Sequence, residues 1–170
     1  MSDNRQLEHH DHLGGNNKHP IRILVHDITV PMNVGSIFRI SDALGVEKIY
    51  LSGNTPIPPN NKIRKTSRST EKYVDYKTFV NPVELIEELK EDNYTIVALE
   101  ITSDSIPIQE LKLEKDTKIC LILGSENSGV SEDLLSLADI TTHIPMLGRN
   151  SSMNVATACG IAVYSFTFNQ

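Results

Sequence analysis

The chain is short of cysteine, of long apolar runs and of positive charge, and each shortage removes a class of protein. Only two of its 170 residues are cysteine. Cys120 and Cys159 sit inside apolar stretches, KICLIL and ATACGIAV, so buried free thiols are expected rather than a disulfide, and a cytoplasmic location with them. No apolar run approaches the roughly 18–20 residues that span a bilayer, and the polar N-terminus lacks the pattern of a secretory signal. No membrane partner is therefore expected. The formal net charge is −6, which argues against broad nonspecific binding to nucleic acid. Phosphate loops of the G-x-G-x-x-G and Walker kinds are missing as well. Four histidines, His9, His10, His12 and His19, fall near the start. No second group of ligands accompanies them, so no metal is expected.

What is present is ordinary material for one globular domain, with 39% hydrophobic and 22% charged residues. Residues 1–19 are rich in His, Asn and Asp and read as a disordered polar tail. Residues 20–170 read as a single domain of alternating strands and helices. Apolar strand patterns cover 21–26, 48–51, 94–100, 119–123 and 141–144. Helical spacing covers 35–44, 81–92, 131–138 and 154–168. Gly45 can stop the first helix, Pro82 suits the first turn of the second, and Ser131 can cap the third. Residues 52–61 hold three prolines and read as a loop. The stretch 119–123 is apolar throughout, as a strand buried on both faces should be. The fold class is α/β, a mostly parallel sheet with helices on both faces.

Charge is unevenly spread. Lys62, Arg64, Lys65, Arg68, Lys72 and Lys77 crowd one segment, while Glu84, Glu87, Glu88, Glu91 and Asp92 form the solvated face of a helix. The final helix is apolar nearly all round. One face can cover the sheet and the rest needs a partner, which predicts a homodimer with residues 154–168 in the interface.

Three segments carry candidate chemistry. The first, Asn33-Val34-Gly35-Ser36-Ile37-Phe38-Arg39, joins the first strand to the first helix, where sheets of this class bind ligands. Asn33 can cap that helix, Gly35 lets a ligand or a second stretch of chain come close, and Arg39 can reach the same mouth one turn in. The second, residues 123–131, runs from an apolar strand into a helix. Its Glu126 would repel a dinucleotide phosphate but can accept hydrogen bonds. This favours a ligand read by backbone groups, such as an adenine edge. The third, residues 144–155, packs Arg149, Asn150, Ser151, Ser152 and Asn154 beside an apolar turn. Helix capping accounts for one of these, and the density of the rest looks like a site.

Together, in this order, the three segments resemble the signature motifs of the SpoU (TrmH-like) branch of the SPOUT methyltransferases. N-x-G-x-x-x-R matches Asn33, Gly35 and Arg39. L-G-x-E-x-x-G matches Leu123, Gly124, Glu126 and Gly129. I-P-M-x-G followed by S-[LM]-N-V matches Ile144, Pro145, Met146, Gly148, Ser152, Met153, Asn154 and Val155. Residues 55–71 also resemble the linker of small family members. Two positions depart from the family pattern: Asn127 stands where Gly is usual, and Met153 where Leu is usual.

The resemblance implies a C-terminal trefoil knot and an S-adenosylmethionine-dependent RNA 2′-O-ribose methyltransferase acting on tRNA or rRNA. It implies Leu99, Gly124, Ile144 and Met153 against the methyl donor. The catalytic set would be Arg39, Asn33, Glu126, Ser152 and Asn154. Within the family this arginine sometimes serves as the base; because a neutral guanidine is costly, the favoured role for Arg39 is to clamp a phosphate and steady the developing alkoxide, with phosphate-assisted proton transfer as the other route. Ser152 and Asn154 position the ribose and phosphate, Asn33 orders the first loop, and Glu126 orients Asn or Arg side chains. Lys62, Arg64, Lys65 and Arg68 become an RNA-facing patch. Two other readings stand beside this one: methylation of a base by the same fold, and a catalytically idle RNA-binding module.

Overall fold

The computed structural model describes residues 4–8, 11, 15 and 17–168. His9, His10 and His12 of the expected tail lie outside the described residues, while His19 already belongs to the first strand. Seven strands form one sheet: β1 His19–His26, β2 Val46–Ser52, β3 Tyr76–Phe79, β4 Thr95–Leu99, β5 Ile106–Pro107, β6 Ile119–Leu123 and β7 Ile140–His143. Their spatial order is β3-β2-β1-β6-β4-β7-β5, and every neighbouring pair is parallel. The helices are α1 Pro31–Ala43, α2 Asn61–Ser67, α3 Pro82–Glu91, α4 Glu132–Leu137 and α5 Val155–Phe168.

The two-residue period of the strands divides the core into two layers. Ile21, Ile23 and Val25 of β1, with Ile119, Leu121 and Leu123 of β6, pack against α1, α2 and α5. Leu24, Cys120 and Ile122 point the other way, against Leu85, Ile86 and Leu89 of α3 and Leu134 of α4. Helices thus cover both faces, and β6 is buried at every position. Cys120 belongs to one layer and Cys159 to the other, so both remain free thiols. Burial pushes each thiol up to about 12, which leaves them inert as nucleophiles. No helix among the described residues is long and apolar enough to cross a membrane.

Several local expectations need correction. Helix α1 opens at Pro31, four residues earlier than its apolar spacing suggested, because proline at the first helical turn is tolerated. Arg39 therefore lies beyond two turns in, not one. Val30 occupies the cap position, and Asn33 sits inside the helix and caps nothing there. Ser131 stands at the start of α4 without a capping hydrogen bond. Three elements had no readable pattern: α2 is a single short basic stretch, β3 is an exposed edge strand, and β5 has two residues. Gly45, at φ +65°, ends α1 as expected, and Asn81 caps α3 by accepting from the Val83 amide at 3.1 Å.

Gly35 is required by packing. A Cβ there would lie 2.6 Å from the Ile63 carbonyl oxygen and 2.9 Å from the Thr66 Cβ, so α1 and α2 cross at backbone distance. The second stretch of chain that the sequence called for is α2. Gly35→Ala should therefore destabilise the fold. The helix-propensity gain of about 1 kcal/mol is outweighed by overpacking against backbone, which costs about 1–3 kcal/mol. Urea denaturation should give a lower midpoint with an unchanged slope.

Candidate functional site

At the carboxyl end of the sheet, one hydrogen-bonded chain gathers residues from three distant segments. The Glu126 carboxylate accepts from the Thr29 amide at 3.1 Å, the Val30 amide at 3.2 Å and the Asn33 Nδ2 at 2.9 Å. Asn33 in turn accepts through its Oδ1 from Asn154 Nδ2 at 2.9 Å. Asn154 Oδ1 accepts from the Ala156 and Thr157 amides at 3.0 and 3.2 Å, capping α5. The carboxylate thus serves the amides just before α1, where a helix start favours negative charge, and fixes the segment after β6 against it. Burial alone would raise the Glu126 carboxyl, but the hydrogen bonds from Asn33 and the two amides win and hold it below the usual carboxylate range.

The second feature is a cleft of about 110 Å³ beside this chain. Its apolar wall includes Leu99, Ile144, Met146 and Met153, and Ser151, Ser152, Glu100 and His143 add polar groups. Apolar walls with a few convergent polar groups are the usual make-up of a small-ligand site. Leu99, Ile144 and Met153 were expected there from the resemblance. Gly124 lies buried at the end of β6, outside the lining. A Cβ on it would fall 2.1–2.2 Å from Gly129 and Val130 backbone atoms, so it lets the loop fold back on itself, closed by the paired Ser125 and Gly129 backbones at 2.9 and 3.0 Å.

Glu100 was not anticipated. Its Oε2 accepts from the Val130 amide at 3.0 Å and its Oε1 from the Ile101 amide at 2.9 Å. A Cβ on Gly129 (φ +68°) would sit 2.1 Å from that same Oε2. Glu100 thus ties the end of β4 to the loop after β6 along one wall of the cleft. An acid ending an otherwise apolar strand was the available signal. His143 was missed too; its Nδ1 lies 2.9 Å from the Ser105 Oγ, which orients the ring at the cleft.

Arg39 and Ser152 differ from the rest of the expected set. Both are exposed, and neither side chain has a hydrogen-bond or ion-pair partner among the described residues. Arg39 is about 9 Å along the α1 axis from Asn33 and does not join the Glu126 chain. Lys62, Arg64 and Lys65 are exposed along α2, and Arg68 follows at its C-cap with φ +55°. No three His, Cys, Asp or Glu side chains among the described residues could share a metal.

The model of the SpoU rRNA Methylase family matches residues 20–164. The chain belongs to this family. A relative, the tRNA (guanosine(18)-2′-O)-methyltransferase of Thermus thermophilus, is 31% identical over 144 residues, 85% of this chain and 72% of that one. The enzyme of the same name from Escherichia coli is 25% identical, and the chain spans 61% of its length. Among solved structures, the A. aeolicus TrmH/SpoU tRNA modifying enzyme superposes with a TM-score of 0.77 at 26% identity, covering 88% of this chain and 74% of that one. The SpoU methyltransferase AviRb from Streptomyces viridochromogenes, in complex with AdoMet, shares the fold at a TM-score of 0.79 and 24% identity, over 87% of this chain and 59% of that one.

Because the folded Glu126 carboxyl is held below its unfolded value of about 4.3, its stabilising contribution is complete above that value. It fades as pH falls through the lower folded one. Glu126→Gln should therefore be less stable than the parent SpoU domain at pH 7, and the gap should narrow steadily below about pH 4. Thermal melts of both proteins from pH 7 to pH 3 measure this; a gap independent of pH would remove the carboxylate from the site's framework.

Proposed function

We propose that this SpoU family member transfers a methyl group from S-adenosylmethionine to a ribose 2′-hydroxyl of tRNA or rRNA. The observation that carries the reading is the Glu126–Asn33–Asn154 chain, which ties all three segments together at one end of the sheet, next to a cleft lined by the third segment and the end of β4. The cleft suits the donor. Leu99, Ile144, Met146 and Met153 offer an apolar slot for a flat base, Glu100 offers a carboxylate near a cation, and the Gly124–Gly129 contact leaves no side chain between loop and strand. The donor supplies, when bound, a methyl group on a positively charged sulfur.

This chain's residues then have two kinds of work. Glu126, Asn33 and Asn154 spend their polar groups on one another and on backbone amides, so they position the loops. Arg39 and Ser152 are unspent and face solvent, and they meet the RNA. Arg39 clamps the target phosphate with its planar fork and stabilises the oxyanion that develops as the 2′-hydroxyl passes its proton to that phosphate, and from there to solvent, while its oxygen takes the methyl group. Ser152, on the cleft's rim, orients the ribose. Alignment of hydroxyl and donor accounts for much of the acceleration. The exposed cations of α2 add phosphate contacts on an otherwise acidic chain.

Two further features belong to this reading. The segment from β6 onward forms the trefoil knot of the family. The parallel insertion of β6 between β1 and β4, with α5 returning to pack on α1, supports it. The working unit is a homodimer in the cytoplasm. Ile161, Tyr164 and Phe168 stand 39%, 55% and 60% exposed on α5, and a second copy would cover them.

Purified protein given methyl-labelled S-adenosylmethionine and unmodified tRNA or rRNA should yield 2′-O-methylnucleosides on digestion and mass spectrometry. Label on a base would favour base methylation, and donor binding without transfer would favour an idle module. In single-turnover assays Arg39→Ala should lose at least about a hundred-fold in rate with donor affinity unchanged. Arg39→Lys should be almost as poor, because it keeps the charge and loses the fork. Unimpaired transfer by Arg39→Ala would take Arg39 out of the chemistry.

A further inference from the structure

Beside α1, away from the donor cleft, the chain has a second hollow of about 320 Å³. We propose that it is a stacking subsite for an unpaired base of the RNA substrate, a proposal that rests on the reading of this protein as an RNA-modifying enzyme. Pro58, Pro59, Arg64, Glu71, Lys72 and Tyr76 line it. The volume lies at the low end of the roughly 300–1,000 Å³ of small-ligand sites.

The lining suits a nucleobase better than a phosphate. Tyr76 is 37% exposed, and its ring meets that of Phe38, a fully buried core residue, edge-on at 5.4 Å and 88°. The core thus anchors the tyrosine while part of its ring stays open, which gives a rigid platform at small entropic cost. Tyr73, one turn earlier, is 71% exposed. Prolines supply flat apolar walls, and the Arg64 guanidinium is a plane that stacks on bases. Glu71, hydrogen-bonded by Ser67 Oγ, puts a carboxylate into the hollow beside the Arg64 and Lys72 cations and so makes it less suited to a phosphate. Further cations stand outside: Lys62, Lys65 and Arg68 are exposed, and none of their side chains has a partner among the described residues. A strand of RNA laid on this face puts its phosphates on the rim cations and turns one ring inward. Aromatic stacking combined with a basic track is how single-stranded nucleic acid is held without sequence reading. The hollow's α2 and Tyr76 both pack on α1, the helix that carries Arg39, so a base docked here steadies the RNA alongside the site.

Arg68 fits the same account. It holds a left-handed φ of +55°, and Ser69 after it holds +68°. Such a conformation costs a non-glycine residue about 1 kcal/mol or more, so the side chain is kept at the expense of fold stability.

The test uses the full chain and a short single-stranded RNA carrying one 5-iodouridine. Irradiation should crosslink the modified base to Tyr73 or Tyr76, located by mass spectrometry, and annealing the RNA to its complement should abolish the crosslink. Tyr76→Ala should bind the single strand about ten-fold more weakly with the same salt dependence, and Tyr76→Phe should bind like the parent. Lys65→Ala with Arg68→Gly should instead flatten the salt dependence, by about 0.7 per charge removed. Since Arg68→Gly relieves the left-handed strain, its weakened binding cannot come from a less stable fold. A flattened salt slope in the cation variant, with no crosslink and full affinity in Tyr76→Ala, would overturn the stacking subsite and leave the RNA reading standing. No change in either set of variants would remove α2 from RNA binding and the subsite with it. If Tyr76→Ala also lowers the melting temperature, the crosslink in the parent protein decides.

Discussion

The arrangement depends on one carboxylate. Glu126 stands in a glycine-containing loop after the central strand β6, and its two oxygens take three N–H donors that belong to the entrance of α1. A charge in that position is stabilised only if the loop and the helix entrance stay together. Asn33 passes the constraint on to Asn154, and Asn154 passes it to the first amides of α5. Three segments that are far apart in sequence are thereby set at one end of the sheet. Hydrogen bonds to a charged group are about twice as strong as neutral ones. A network of this kind therefore fixes loops that would otherwise be the softest parts of an α/β domain.

Backbone closeness is the second constraint, and glycine permits it. Gly124 and Gly129 touch at distances no Cβ allows, and Glu100 fills the space above Gly129 while accepting from Val130. Glu100 thereby joins that closed loop to the cleft, whose remaining wall is Leu99, Ile144, Met146 and Met153. Gly35 plays the same part on the other side, where α2 is pressed onto α1. That contact brings the basic helix alongside the helix bearing Arg39, and with it the hollow at Tyr76.

Much of this was legible in the residues. The all-apolar β6, the alternating faces of β1 and the capped α3 follow from period and turn chemistry, and so did the two-faced sheet. The third segment stood out because its density of polar residues exceeded what a cap needs, and the Glu126 chain joins it to the other two. What escaped was what sequence period does not encode. Helix α2 is too short to show a face, β3 is an exposed edge, and β5 is two residues long. Asn33 read as a cap because asparagine near a helix start usually is one; a partner 93 residues away drew it elsewhere. Glu100 was overlooked because its role is created by the Val130 amide thirty positions on, which only the fold brings near.

The central claim is that Asn33 and Asn154 act as one unit under Glu126. A double-mutant cycle in urea, with Asn33→Ala, Asn154→Ala and the double variant, tests it most directly. Non-additive losses of stability are expected, with an interaction energy of roughly 0.5–3 kcal/mol between the two sites. Losses that add to within about 0.3 kcal/mol would contradict it, since the two asparagines would then hold their loops independently.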